Sequence, residues 1–417
     1  MSDGRPHGRK DIGFKEFVTL IATVMAVNAL AIDTMLPALP EIGGAIGIPT
    51  ESGRQWIVTS YLLGFGGAQL FFGTISDRFG RKPVLLFGLG GYFIFSVMCA
   101  LAGSFEAMML ARGLQGICAA ATRVLAISIV RDRFAGRQMA RVMSLVFIVF
   151  LAVPIIAPSL GQLIMLFAPW RWIFGMLAIY SAAALVWVAV RLPETIHAED
   201  RMPISLTAIG HAVRTTLSTR VAVGYMIAVA FMFGGMFGYL NSAQQIFADI
   251  FAVPKLFPSI FALIAAAIGA ASLVNSRIVN RLGMRVVSHG ALCGFIAVVG
   301  LHALVAYLGF DTLWTFVALQ AATFFCFGLM GANFNALAME PLGHVAGTAS
   351  SIQGFVTTTF GALLGFIIGQ LFNGSTVPLT LGFLALGLMA LITVLITERG
   401  KLFRPSPLNA AIAAAEH

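Results

Sequence analysis

Three charged side chains stand well inside long apolar stretches of this sequence: Asp33, Arg112 and Arg123. A charge at mid-membrane costs at least ~2.5–3.5 kcal/mol on insertion scales, so a working role is the default reading for each. A carboxyl such as Asp33 can carry a proton, and a guanidinium such as Arg112 can supply its counter-charge. Asp33 lies four residues before Pro37, and Arg112 six after Glu106, on stretches that run in opposite directions. At ~1.5 Å per helical residue the two reach similar depth, near the outer end of a cavity. There they can pair directly or through water. Arg123, eight residues before Arg131, lies deeper, where Asp132 or an anionic substrate group can meet it. The bland alternative for Asp33 is an interfacial acid at a helix end.

The elements that must position these residues follow from composition. Of 417 residues, 59% are hydrophobic and 10% charged, with mean hydropathy +0.92. An average soluble domain carries about 25% charged residues. A chain this apolar lacks the polar material to cover a soluble surface, which excludes a soluble enzyme, a secreted disulfide scaffold and a disordered chain. Cys99, Cys118, Cys293 and Cys326 lie in apolar runs with no ligand spacing around them, so neither disulfides nor a metal site is expected. Twelve runs reach the ~20 residues that span hydrocarbon: 17–36, 56–75, 84–102, 107–129, 142–167, 173–190, 221–244, 256–276, 286–308, 313–338, 346–372 and 379–396. They are continuous rather than alternating, so they predict helices, not barrel strands. The first is too long for a signal-peptide core and is read as a retained span.

The net charge of +9 is an orientation signal. With the N-terminus cytoplasmic, the cytoplasmic segments hold 21 Lys/Arg and the opposite face only Arg54, Arg171 and Lys255. That split predicts both termini in the cytoplasm and gives no reason to expect nucleic acid. The longest interior polar stretch, 191–220, divides a six-helix bundle (1–190) from a second (221–400), with a tail at 401–417. Within it Ile204, Ala208, Ile209, Ala212, Val213 and Leu217 recur at helical spacing, as in an amphipathic surface helix or a partly helical linker. The Ala-rich end 409–417 reads as frayed.

The halves read as repeats. Asp77-Arg78-Phe79-Gly80-Arg81-Lys82 follows the second run, and Asn280-Arg281-Leu282-Gly283-Met284-Arg285 follows the eighth. An all-α membrane protein of twelve transmembrane helices in two six-helix pseudo-repeats, with a site between them, suits alternating access. Gly73 and the loop behind it, Asp77, Arg78, Gly80, Arg81 and Lys82, predict a conformational latch. Asp77 faces a helix N-terminus across the boundary between halves when the cytoplasmic side closes, helped by Arg81. The bland alternative is that these charges only set topology. The second copy has Asn280 where the first has Asp77, so the latch is one-sided.

Gly73-x-x-x-Asp77-Arg78-x-Gly80-Arg81-Lys82 resembles the signature loop of the major facilitator superfamily. Leu110-x-Arg112-x-x-Gln115-Gly116 is similar to the fourth-helix motif of its proton-coupled members. Asp33-Thr-Met-Leu-Pro37-Ala-Leu-Pro40, Val130-Arg131-Asp132 and Ala346-Gly347-Thr348-Ala349-Ser350 narrow this. Together they resemble the Bcr/CflA family of bicyclomycin and chloramphenicol resistance exporters, within the drug:proton antiporters. The resemblance covers essentially the whole chain. It implies Asp33 and Arg112 in proton coupling and the Asp77 loop as a latch on the outward-open state. Some relatives have a second acid earlier in the first helix; here 22–28 carries no carboxylate and ends on Asn28. Pro154, Pro158 and Gly161 resemble the antiporter fifth-helix motif, with Ala157 and Gln162 where two of its glycines stand; an ordinary packing kink is the equal alternative.

The cavity candidates are Asn28, Gln115, Arg123, Pro154, Pro158, Phe231, Phe237, Asn241, Asn333 and Asn335, from an interior rich in Phe and Met that suits varied apolar ligands. Interhelical hydrogen bonding is the competing role for the amides, and His302 reads as a packing or interface residue of the ninth run. The reading is a proton-driven exporter of amphipathic drugs or antibiotics in a bacterial inner membrane. The alternative is a carrier of one metabolite, such as a sugar or amino acid, by proton symport or export. No phosphate loop, metal cluster or nucleophile motif supports an enzyme. The expected partners are small amphipathic substrates, protons and lipid. The proton gradient supplies the energy in place of a cofactor, and one chain is expected to act alone as a monomer.

Overall fold

In lipid an unbroken apolar run satisfies its backbone by coiling on itself, and every regular element among the described residues is helical. The structure is a computed structural model. It describes residues 12–404 except 49, 51, 135, 197, 198, 200 and 202–205. The long helices are α1 (Phe14–Asp33), α2 (Trp56–Phe79), α3 (Arg81–Leu101), α4 (Phe105–Arg133), α5 (Gly136–Phe167), α6 (Arg171–Arg191), α7 (Arg220–Gln245), α8 (Phe257–Leu282), α9 (Met284–Tyr307), α10 (Leu313–Met339), α11 (Ala346–Gln370) and α12 (Val377–Thr397). Among the described residues eleven of these are long and apolar enough to cross a membrane; in α5 the apolar stretch is Ala152–Phe167, shorter than such a span.

Helices α1–α6 pack on one another, chiefly α2 and α3 on α4, α3 on α6 and α1 on α5. Helices α7–α12 do the same, chiefly α7 on α11 and α12, and α10 on α8 and α9. Two seams join the groups: α2 against α11 and α5 against α8. At one end the first seam is closed by Trp56 on Phe366, ring centroids 4.3 Å apart. Beside them the Gln55 amide donates to the Gly369 carbonyl (2.9 Å) and to Gln245 Oε1 (3.1 Å). Mid-seam, Gln69 donates to Thr358 Oγ1 at 3.3 Å. Thr358 lies in a π-helical turn, Val356–Phe360, that interrupts α11. Such turns widen the helix locally and leave side chains free to bond across it.

The repeat seen in the two loop motifs extends to the backbone. Gly80 sits at φ 100°, ψ 152° between α2 and α3, and Gly283 at φ 84°, ψ 153° between α8 and α9. Both lie at positive φ with extended ψ, a region that only glycine enters without strain. The linker contains a helix, Leu206–Ser218, that packs on α7 and the first turns of α11. It buries Ala212 and Thr216 and leaves Leu217 exposed. Ile204, the side chains of Ala208 and Ile209, residues 1–11 and the Ala-rich end 409–417 lie outside the described residues.

Candidate functional site

The fourth-helix motif builds the first part of the site. A Cβ on Gly116 would run into the Tyr61 carbonyl, so glycine here lets the backbone of α2 lie directly on α4. That approach brings the Ile57 carbonyl of α2 within 3.1 Å of Arg112 Nε. The same guanidinium donates to Gln115 Oε1 at 2.6 Å and to the Ala31 carbonyl of α1 at 3.2 Å. It lies 4.4 Å over the Tyr61 ring and is fully buried. Arg112 therefore ties α1, α2 and α4 together through carbonyls rather than through a carboxylate. Gln115 is spent in the same network, passing its amide to Ser96 Oγ at 2.7 Å. Asn28 takes the Tyr61 hydroxyl at 2.9 Å and donates to Thr122 Oγ1 at 3.1 Å.

Asp33 ends α1 two residues beyond Ala31, so it reaches the depth of Arg112, and it is 5% exposed. No ion pair within 4 Å joins the two, because the guanidinium is occupied by its three oxygens. The Asp33 carboxyl has no hydrogen bond or ion pair among the described residues. Arg123, partly buried on α4, likewise makes neither, and only faces the Phe65 ring at 6.0 Å. Asp132, the acid expected to meet it, is taken by Arg81 at 2.9 Å.

That ion pair belongs to the cluster around the loop between α2 and α3. Arg81 also bonds Asp77 (2.7 Å) and Ser76 Oγ (2.5 Å), and is nearly fully buried, whereas Asp77 is 42% exposed. Gly73 lies beside Ser351 on α11, and Arg131 beside Gly347 in the first turn of α11. Arg78 is exposed over Phe79, and Lys82 Nζ donates to the Ala189 carbonyl at 2.8 Å. The residue that sequence reasoning missed is Glu194. Its carboxylate accepts the backbone N–H groups of Arg81 (2.9 Å) and Lys82 (3.2 Å), capping α3 where the dipole favours an anion. The second half has a counterpart. Glu398, just past α12, accepts from Arg285 Nε (2.9 Å) and from the Tyr225 hydroxyl (2.7 Å). An acid just past both the sixth and the twelfth run was the available signal.

The remaining candidates divide. Asn333 donates to Asn275 Oδ1 at 2.7 Å, and Asn335 accepts from Gln353 of α11. Phe237 is buried 5.7 Å from the Phe233 ring, close against Gly365 of α11, while Phe231 is half-buried. Asn241 is 2% exposed, with no partner in the described residues for either end of its amide. Pro154 and Pro158 lie inside α5, which continues through both. A cavity of about 280 Å³ opens between the halves, lined by Pro37, Gln162, Met165, Gln244, Lys255 and Phe257 among others. His302 is buried, packed on the Phe316 ring at 5.2 Å with its Nε2 3.5 Å from Asp311 Oδ2.

The family model described as "Major Facilitator Superfamily" matches residues 21–366. A "Bicyclomycin resistance protein homolog" of Haemophilus influenzae is 29% identical over 373 residues, covering 87% of this chain and 91% of its own. A "Chloramphenicol resistance protein" of Pseudomonas aeruginosa is 29% identical over 366 residues, covering 85% and 83%. Among solved structures, a D-xylose-proton symporter superposes with TM-score 0.70 at 16% identity over 91% of this chain and 97% of its own.

Proposed function

The chain belongs to the major facilitator superfamily, and from that premise we propose that it is a proton-coupled antiporter that exports amphipathic drugs or antibiotics by alternating access. The relatives named for antibiotic resistance match it across most of its length, which supports the substrate class. One observation carries the coupling: Asp33 is a buried carboxyl, without hydrogen bond or ion pair among the described residues, at the end of α1. Such a group gains by binding a proton in the closed site and releases it where water reaches it. Both events change with the position of the halves. In this reading twelve helices cross a bacterial inner membrane as two six-helix repeats, and both termini are cytoplasmic. One chain is the working unit, and the proton gradient drives the cycle.

Arg112 fixes the outer end of α1 by holding the Ala31 carbonyl, and so sets where Asp33 stands. At the cytoplasmic end, the first turn of α11 beside Gly73 and Arg131 is the surface on which Asp77 and Arg81 act as a latch. The test is drug-induced proton release from the purified protein, wild type against Asp33→Asn. The variant is expected to bind neutral drug and release no proton; equal release from both would move the coupling proton elsewhere. Growth of an efflux-deficient host on several unrelated antibiotics separates drug export from carriage of one metabolite. Protection against none of them would favour the metabolite carrier.

A further inference from the structure

Arg123 carries a charge that no described residue answers with a hydrogen bond or ion pair. The two interior arginines of α4 are treated in opposite ways. Arg112 spends its guanidinium on three oxygens and is fully buried. Arg123, eleven residues on, has no hydrogen bond and no ion pair among the described residues, and is only partly buried. It lies ten residues, ~15 Å of helix, from the cytoplasmic end of α4 at Arg133. The nearby cytoplasmic carboxylates are engaged. Asp77 and Asp132 hold Arg81, and Glu194 holds the first amides of α3.

It faces α2, a helix that forms part of the boundary between the halves. Its neighbour Thr122 turns to α1, where it accepts from Asn28. Arg123 itself turns to Phe65 on α2. The next residue, Gly66, is where α2 lies against Thr359 of α11, so close that a Cβ would strike its hydroxyl. The ring that the guanidinium faces is therefore one residue from the contact of α2 with α11, and transporters of this architecture bind what they carry near such a boundary between repeats. A guanidinium in apolar surroundings with five unspent N–H groups is built to take a carboxylate, sulfonate or phosphate oxygen pair.

We propose that Arg123 is the anchor for an acidic group on the substrate, so that the exporter carries amphipaths bearing a carboxylate or similar oxyanion. This rests on the export reading above and specifies its substrate.

The test uses two probes with the same aromatic body, one charged and one neutral: 8-anilinonaphthalene-1-sulfonate and N-phenyl-1-naphthylamine. Binding to the full-length protein in detergent, and uptake into inverted vesicles under a pH gradient, are measured for wild type, Arg123→Gln and Arg123→Lys. Loss of a charge-assisted bidentate contact should weaken sulfonate binding roughly tenfold or more in Arg123→Gln. Arg123→Lys should recover part of it, and the neutral probe should change less than about twofold. Equal sulfonate affinity in wild type and Arg123→Gln overturns the anchor, as does equal weakening of both probes, which would mean that Arg123 serves the fold or the proton. If the neutral probe is exported and the sulfonate neither binds nor moves, the export reading stands and the anchor fails. If the sulfonate binds through Arg123 but neither probe moves with the gradient, the anchor stands and the export reading fails.

Discussion

Replacing Arg112 by alanine should damage the fold before it damages transport. The side chain is completely buried, and its guanidinium feeds the carbonyls of Ala31 and Ile57 and the amide oxygen of Gln115. Hydrogen bonds made by a charged donor contribute about 1.5–3 kcal/mol each. Three of them do not simply add, because removing the cation also removes the cost of burying it. The net loss expected is about 3–5 kcal/mol, the range for breaking a buried charged network. Arg112→Lys should lose about 1–3 kcal/mol, because one ammonium cannot reach oxygens on α1, α2 and α4 from a single point. Unfolding by SDS titration in mixed micelles measures both. The double-mutant cycle of Arg112→Ala with Gln115→Ala should show a coupling of about 1 kcal/mol or more. Alanine within about 1 kcal/mol of wild type, or a coupling near zero, would refute the network as the function of this residue.

Asp33→Asn should leave stability unchanged or raise it, since the carboxyl has no bond to lose among the described residues; a drop of more than about 2 kcal/mol in the same titration would reveal a partner and count against a free proton carrier. Glu194→Ala should cost about 1–2 kcal/mol by uncapping α3, with Glu194→Gln intermediate, and equal stability of all three would remove the capping role. Burial alone would raise the Glu398 carboxyl, but hydrogen bonds from Arg285 and Tyr225 and the charge of Arg285 outweigh it and hold it below its ordinary range. Its contribution is therefore complete above about pH 4.3, the ordinary glutamate value, and is lost as pH falls through the depressed one. Thermal unfolding midpoints at pH 7 and about pH 3 should differ less in Glu398→Gln than in wild type, and an equal acid loss in both would contradict the assignment.

Helix type and the interior placement of Asp33, Arg112 and Arg123 were legible in the sequence, because lipid leaves an apolar run no other way to satisfy its backbone. The glycine at 80 and its repeat at 283 were legible too, since a backbone at positive φ restricts the residue there to very few types. Partnership was not legible. Spacing put Asp33 and Arg112 at one depth, but whether opposite charges meet depends on which other acceptors reach the guanidinium first. Here the close contact at Gly116 delivered a carbonyl of α2, while α1 supplied the carbonyl of Ala31. Asp132 and Arg123 share a helix, yet Arg81 of another helix claims the acid. Glu194 caps a helix that begins 113 residues earlier, a pairing that only the folded chain creates. Composition and periodicity are properties of a segment and its solvent, and the sequence carries them openly. The assignment of each donor to each acceptor is a property of how segments pack, and tertiary structure alone decided it.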